Sequence, residues 1–490
     1  MMKRLHEKAS ITVFLSLLLV LFIGFIMMMT EHARIFGLRQ RLVCATDSAM
    51  DSLFSMYDRE LLNEFDLMLL NENELSNNQD IEEVVSKYLT MNANPKQDHL
   101  LLSGNLYRGT SSTAEIENTV SVIENEGELF ARSVLEFMKY RTLGIAVEKV
   151  QEQLEELEMG DDAKTMAKEQ QELEQESFDE QFLEKTNEEK KKYEEAIEES
   201  WLEKLEKLKE DGWLNFVLPF DQVASGYVIE AEDLPSKWRT VNFTWYHSAI
   251  SEMEESFLFT EYLLEHCRSF TSTGETNKMA YELEYIVNGK TSDKENLKST
   301  VNSLLLMREG LNLFSAWKDP VLSSQAETAA ATLVGWTGVY PAIKLTQFTM
   351  IAGWSFAEAI VDVRTLLSGG NIPIIKNSES WTLEFSQIAD FLDGDLFLTA
   401  KENNGLSYDE YLRLLLYAQG RSDRRYHTMD VIQLRMREKN PDFSMADCLG
   451  AVQVKASMKA APIFYCFAGS GYEISCEQSR MYLLKLKIDF

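Results

Sequence analysis

A chain of 490 residues with 45% apolar and 11% aromatic residues is long and apolar enough for more than one core, and its 8 Pro and 23 Gly exclude a repetitive or linker-like polymer. The formal charge of −31, from 48 Lys and Arg against 79 Asp and Glu, excludes nucleic acid as an expected partner and disfavours docking on anionic lipid, because both need clustered cations. Five scattered cysteines lack any C-x-x-C pair, so zinc and thioredoxin-type sites lose their spacing; Cys466 with Cys476 is the one candidate bridge, against buried free thiols.

Ser10 to Thr30, SITVFLSLLLVLFIGFIMMMT, is an uncharged run behind a short basic leader. About 20 residues at ~1.5 Å each cover the ~30 Å hydrocarbon core of a bilayer, which predicts a transmembrane helix. A secretory signal would have an apolar region of ~7–15 residues ending at a small-residue cleavage site, and neither is present. Lys3, Arg4 and Lys8 precede the span and Arg34, Arg39 and Arg41 follow it, so charge alone does not orient it. The short leader is the easier end to leave in the cytoplasm, so the C-terminal part is expected to be extracytoplasmic. Leu17, Leu21 and Gly24 are candidate contacts to another membrane helix, with simple lipid contact as the plain alternative.

Leu42, Ala45, Ala49, Leu53, Met56 and Leu61 recur at helical spacing, so the span is expected to continue as one long helix to about Leu70, with Asp47, Asp51, Asp58 and Glu64 solvated. A polar loop, a short helix from Ile81 to Thr90, a strand from Leu100 to Tyr107 and a helix starting after Gly127 follow. The segment 144–212 carries apolar stripes (Val147, Val150, Leu154, Leu157; then Tyr193, Ile197, Trp201, Leu205, Leu208) among Glu and Lys, which predicts an antiparallel helical hairpin. Its turn is placed either at Met159–Asp162 or near Ser177–Asp179, and its arms project roughly 45 Å.

Trp213 to Leu218 and Gly226 to Ile229 read as strand-like, and Glu252 to Cys267 as a helix. Lys278 to Val287 alternates at period two and predicts a strand, followed by a helix capped by Ser292 or Asp293 and running to about Trp317. Val321–Trp336 and Pro341–Leu367 are apolar helices expected at the centre. Ile372 to Lys376 is a short strand; Ser407 and Glu410 have capping-box spacing for a helix to about Gly420, and another helix covers Arg424 to Lys439. Leu449–Lys459, Pro462–Phe467, Tyr472–Cys476 and Ser479–Ile488 read as antiparallel strands. The expected class is α+β. It comprises a leader (1–9), a span (10–30), a membrane-proximal helical stalk with the first part of the ectodomain (31–143), the hairpin (144–212) and a main ectodomain (213–490).

Four stretches carry a resemblance: KASITVFLSLLLVLFIGFIMMMTEHARI, EYIVNGKTSDKENL at Glu284–Leu297, WSFAEAIVDVRTLLSGGNIPIIK at Trp354–Lys376 and GLSYDEYLRLLL at Gly405–Leu416. Together they resemble an uncharacterised family of bacterial single-span exported proteins, whose members tend to be encoded beside Tad (tight adherence) or related type IV pilus-like genes. The span followed by Glu31-x-x-Arg34 also resembles TadE-like pseudopilins. A typical prepilin has Gly before its cleavage point and Glu five residues after it; here Ala9-Ser10 and Phe14 stand there. The resemblance therefore implies an accessory or assembly component at the cell membrane, with pilus or secretion assembly proteins as partners. Glu284, Tyr285, Gly289, Lys290, Asp293, Trp354, Glu358, Asp362, Tyr408 and Tyr411 are its motif positions.

No chemistry stands out. Glu282, Glu284, Asp293 and Glu295 surround Asn288-Gly289-Lys290-Thr291, which lacks the earlier Gly of a phosphate loop. Glu358 and Asp362 share a helix face with Trp354 one turn before; they suit acid–base or metal chemistry, or pairing with a neighbouring Arg or Lys at the boundary of the core. Asp393-Gly394-Asp395 lacks the later ligands of a calcium loop, the histidines show no paired spacing, and no G-x-S-x-G elbow occurs. A non-enzymatic protein without cofactor or small-molecule substrate is expected, with a membrane-tethered receptor or adhesin as the alternative.

Overall fold

The computed structural model describes residues 2–75, 80–93, 109–141, 147–182, 185–198, 217–218, 224–230, 232–239, 252–272, 278–394, 396–400, 405–464 and 471–481. The chain divides into two compact units, Met1–Phe137 with Arg239–Ala249 and Ile432–Phe490, and Met138–Trp238 with Ile250–Val431. In chain order the first unit holds α1 (Met2–Phe54), α2 (Arg59–Phe65), β1 (Leu70–Asn71), α3 (Ile81–Ala93), β2 (Ser111–Ser121) and most of α4 (Glu128–Arg141). The second holds α5 (Val147–Phe182), α6 (Asn187–Glu198), α7 (Glu252–His266), α8 (Glu282–Asn288), α9 (Asp293–Lys318), α10 (Pro320–Val334), α11 (Tyr340–Leu367), α12 (Ile388–Leu392), α13 (Tyr408–Ala418) and the start of α14 (Arg421–Arg437). The first unit closes with β3 (Cys448–Ala460) and β4 (Tyr472–Met481).

In the first unit α1 is long and apolar enough to span a membrane, and it continues without a break into the core. Residues 11–30 are exposed; beyond them Leu38, Leu42, Ala45, Ala49 and Leu53 are buried on one stripe. The helix ends at Phe54 and not near Leu70, because Asp58 starts a new one: its carboxylate accepts from the backbone N–H groups of Glu60 and Leu61. Asp58, expected in solvent, is thus buried as a cap.

β3 is the central strand, antiparallel to β2 on one side and to β4 and β1 on the other. Val452, Val454, Ala456 and Met458 face the core with the α1 stripe and with Val84, Val85 and Leu89 of α3. On the opposite face Ala451 packs with Val120 and Leu129; further along, the face is exposed and in register reads Glu115–Lys455–Glu477 across three strands. β2 was not expected; its residues are mostly polar, and α3 covers its outer edge. Ser86 donates to the Ala114 carbonyl, and Glu82 accepts from the Ile116 N–H. The two strands expected over Tyr472–Cys476 and Ser479–Ile488 are one, β4, as far as Met481. The strand expected over Pro462–Phe467 is absent from residues 462–464, and the remainder, like that expected over Leu100–Tyr107, lies outside the described residues. Cys466 lies outside them as well; Cys476 is a buried free thiol whose Sγ is 3.7 Å from the Thr46 hydroxyl.

The second unit is built on α11, buried from Phe356 through Leu367 and packed by α5, α9 and α10. α5 passes through both predicted turn positions and ends at Phe182. Gly160 serves as a crossing point, since a Cβ on Gly310 would stand 3.0 Å from the Gly160 carbonyl oxygen, and one on Gly160 would press on Leu311. α5 therefore lies along α9 and α11 and does not project as a spur. The chain turns back to α6, bringing the Phe178 and Tyr193 rings to 5.3 Å; Trp201, Leu205 and Leu208 of the predicted second stripe lie outside the described residues. Of the strand-like stretches before α7, only the isolated bridge Val228–Ser292 forms among the described residues. Lys278–Val287, predicted as a strand, instead contains α8, closed by Gly289 at φ +61°. Glu282 to Ile286 are all buried, so the period-two pattern does not mark one wet and one dry face.

Candidate functional site

Helical spacing puts Glu358 and Asp362 on one face of α11, and the structure turns that face inward. Asp362 Oδ2 accepts from Arg308 Nε and Asn312 Nδ2, each at 2.9 Å, and its Oδ1 accepts from Lys376 Nζ at 2.6 Å. Lys376 also pairs with Glu358, whose carboxylate further accepts from the backbone N–H groups of Thr382 and Leu383 at 2.9 and 2.8 Å. Arg308 Nη1 lies within hydrogen-bond distance of the carbonyls of Pro373 and Ile374 and of the Tyr411 hydroxyl, at 2.9, 2.7 and 3.0 Å, and Nη2 donates to Asn312 Oδ1 at 2.9 Å. These carbonyls belong to the predicted strand Ile372–Lys376, which reduces to a single bridge from Ile372 to Leu406 because a guanidinium takes the place of a partner strand. Trp354, one turn before Glu358, donates its indole N–H to the Leu383 carbonyl at 2.8 Å.

Two acids and two bases thus meet in a buried, charge-neutral cluster. Burial pushes the Asp362 carboxyl upward, but Lys376 and Arg308 outweigh it and hold it below its ordinary range. Burial likewise disfavours the Lys376 ammonium, and Asp362 and Glu358 overcome it. Pairing with Arg and Lys, one of the two expected readings, is what the geometry shows, deep within the core and not at its boundary.

A second cluster contains the other motif residues. Glu284 accepts from the Phe270 N–H and the Tyr408 hydroxyl, both at 2.8 Å; with no cation beside it, burial raises its carboxyl to about 7. The Tyr285 hydroxyl donates to Asp430 at 2.8 Å, and Asp430 also accepts from the Ser236 N–H. Asp293 accepts from the Ala280 N–H at 3.1 Å, and burial raises its carboxyl. Gly289 lies against the His427 ring, 2.5 Å from where a Cβ would stand. The Lys290 backbone exchanges hydrogen bonds with the Asn296 side chain while its own side chain is exposed. That turn is closed by side-chain amides, which leaves it no phosphate cradle.

Eight of the ten motif positions are therefore buried in these clusters, and Gly289 and Lys290 form the turn beside them. Leu17, Leu21 and Gly24 are placed elsewhere, on the exposed part of α1, where a Cβ on Gly24 would touch nothing within 4 Å. Sequence reasoning missed Arg308, Asn312 and Asp430. Arg308 and Asn312 sit four apart among the apolar residues of α9, a spacing that marks one buried face.

A groove of about 240 Å³ between α5 and α9 is lined by Met159, Met166, Phe314 and Trp317. Another of about 440 Å³ lies by Leu154, Glu158 and Tyr417, and neither reaches the clusters. Among the described residues no three His, Cys, Asp or Glu side chains are grouped to hold a metal.

These features define an α+β protein with an apolar N-terminal helix and a second unit stapled by buried ion pairs. The chain belongs to DUF5702, a family of unknown function, whose profile matches residues 191–460 and so contains both clusters. No curated protein and no solved structure matches it.

Proposed function

We propose that the protein is a non-enzymatic, membrane-anchored accessory or assembly component of a Tad-like pilus or secretion apparatus, with both units extracytoplasmic and acting through protein–protein contacts. The observation that carries this reading is the continuity of α1, an apolar span whose next turns form the core of the first unit. Such a helix suits a part fixed at a membrane platform. The resemblance to TadE-like pseudopilins at the span and at Glu31-x-x-Arg34 supports the choice of apparatus. The buried acids support the non-enzymatic reading, because Glu358 and Asp362 are already matched by Arg308 and Lys376.

Affinity capture of the full chain from native membranes in mild detergent tests it. Co-recovery of the secretion ATPase or platform proteins is expected, with loss of that recovery when Leu17, Leu21 and Gly24 are replaced together by Phe. Capture without any assembly component would reject the apparatus.

A further inference from the structure

The folded body begins where the apolar run stops: Thr30 is exposed and Glu31 is buried. The Glu31 carboxylate is held from two sides, by Arg34 at 2.7 Å and by the backbone N–H groups of Ile463 and Phe464 at 3.4 and 3.0 Å. The connection leaving β3 is thereby tied to α1 at the level where the span ends. Two large apolar side chains stand uncovered there, Ile463 at 42% and Phe36 at 72% exposure. Phe36 follows Thr30 by six residues, about 9 Å along the helix. Helical side chains tilt toward the N-terminus of their helix, which turns this ring back toward the span. A headgroup layer is roughly 5–8 Å thick on each side of the hydrocarbon, so both side chains fall at its depth. Ala461 to Phe464, APIF, carry no charge to resist such a position.

We propose that Phe36 and the Ile463 turn form a second membrane contact, seated in the headgroup region beside the span and fixing the first unit on the bilayer surface. The occupant is the lipid itself, engaged by apolar burial and not by charge, as a chain of net charge −31 requires. The inference rests on α1 being a membrane span, and the test separates the two.

The full chain, carrying the photoreactive residue p-benzoylphenylalanine in place of Val20, Phe36, Ile463 or Asn118, is reconstituted into phosphatidylcholine vesicles and irradiated. Val20 is the mid-span control. Asn118 pairs with Gln453, seven residues or about 24 Å down β3 from its loop end, and is exposed. The expected result is a mass shift of one phospholipid at Val20, Phe36 and Ile463 and none at Asn118. A lipid adduct at Val20 with none at Ile463 and Phe36, or a protein–protein adduct in its place, overturns the second contact and leaves the anchor standing. No adduct at Val20 overturns the anchor itself.

Discussion

Asp362 and Glu284 are both fully enclosed carboxyl groups of the second unit, yet their surroundings drive them in opposite directions. Asp362 faces Arg308 and Lys376 and is held below the ordinary carboxylate range; Glu284 faces an amide and a phenol and is raised to about 7. Burial alone therefore does not set the charge of a core acid; whether a cation is packed beside it does.

Removing that cation should have the largest effect. Arg308→Met leaves Lys376 as the one cation on Asp362 and removes the donors to the Pro373 and Ile374 carbonyls and to the Tyr411 hydroxyl, so a loss of about 3–5 kcal/mol is expected in denaturant unfolding of the full chain. A loss under about 1 kcal/mol would mean the cluster is not a staple. The Glu284 prediction concerns pH. The native state keeps a proton that the unfolded chain releases near 4.5, so stability is greatest below that pH and falls as pH rises toward about 7, by about 3 kcal/mol in all. Glu284→Gln should flatten this part of the stability profile while retaining the Tyr408 hydrogen bond; an unchanged slope would place the titration elsewhere.

Smaller effects belong to backbone positions beside the clusters. Gly289→Ala puts a Cβ at positive φ and against the His427 ring, and about 1–3 kcal/mol of destabilisation is expected from a thermal melt. Ser407→Ala removes the cap of α13, with an expected loss of about 1 kcal/mol, and Ser407→Asp should restore most of it.

Much of this was legible in the sequence where the signal is local. The apolar N-terminal helix, the Ser292 cap of α9, the Ser407–Glu410 box and the apolar spacing of α11 all depend on residues a few positions apart. What misled was local pattern answered by distant partners. KMAYELEYIV alternates like a strand, but Glu282 and Glu284 turn inward to accept N–H groups of Arg268 and Phe270, and a helix satisfies them. IPIIK looks extended and is denied a sheet by Arg308, more than sixty residues earlier. Gly160 reads as a breaker until Gly310 is seen across from it. At the candidate site, Glu358 and Asp362 stood out by their spacing, whereas the Tyr408–Glu284 bond links residues 124 positions apart and leaves no trace in either motif.

The unbroken course of α1 has a mechanical meaning. Its buried stripe from Leu38 to Leu53 is packed with β3 residues, so there is no swivel between the apolar segment and the sheet. An axial push on the apolar segment, or a twist of it, is delivered to β3 and β4 as the same push or twist. The helix acts as a rigid shaft, and the sheet is the load it turns.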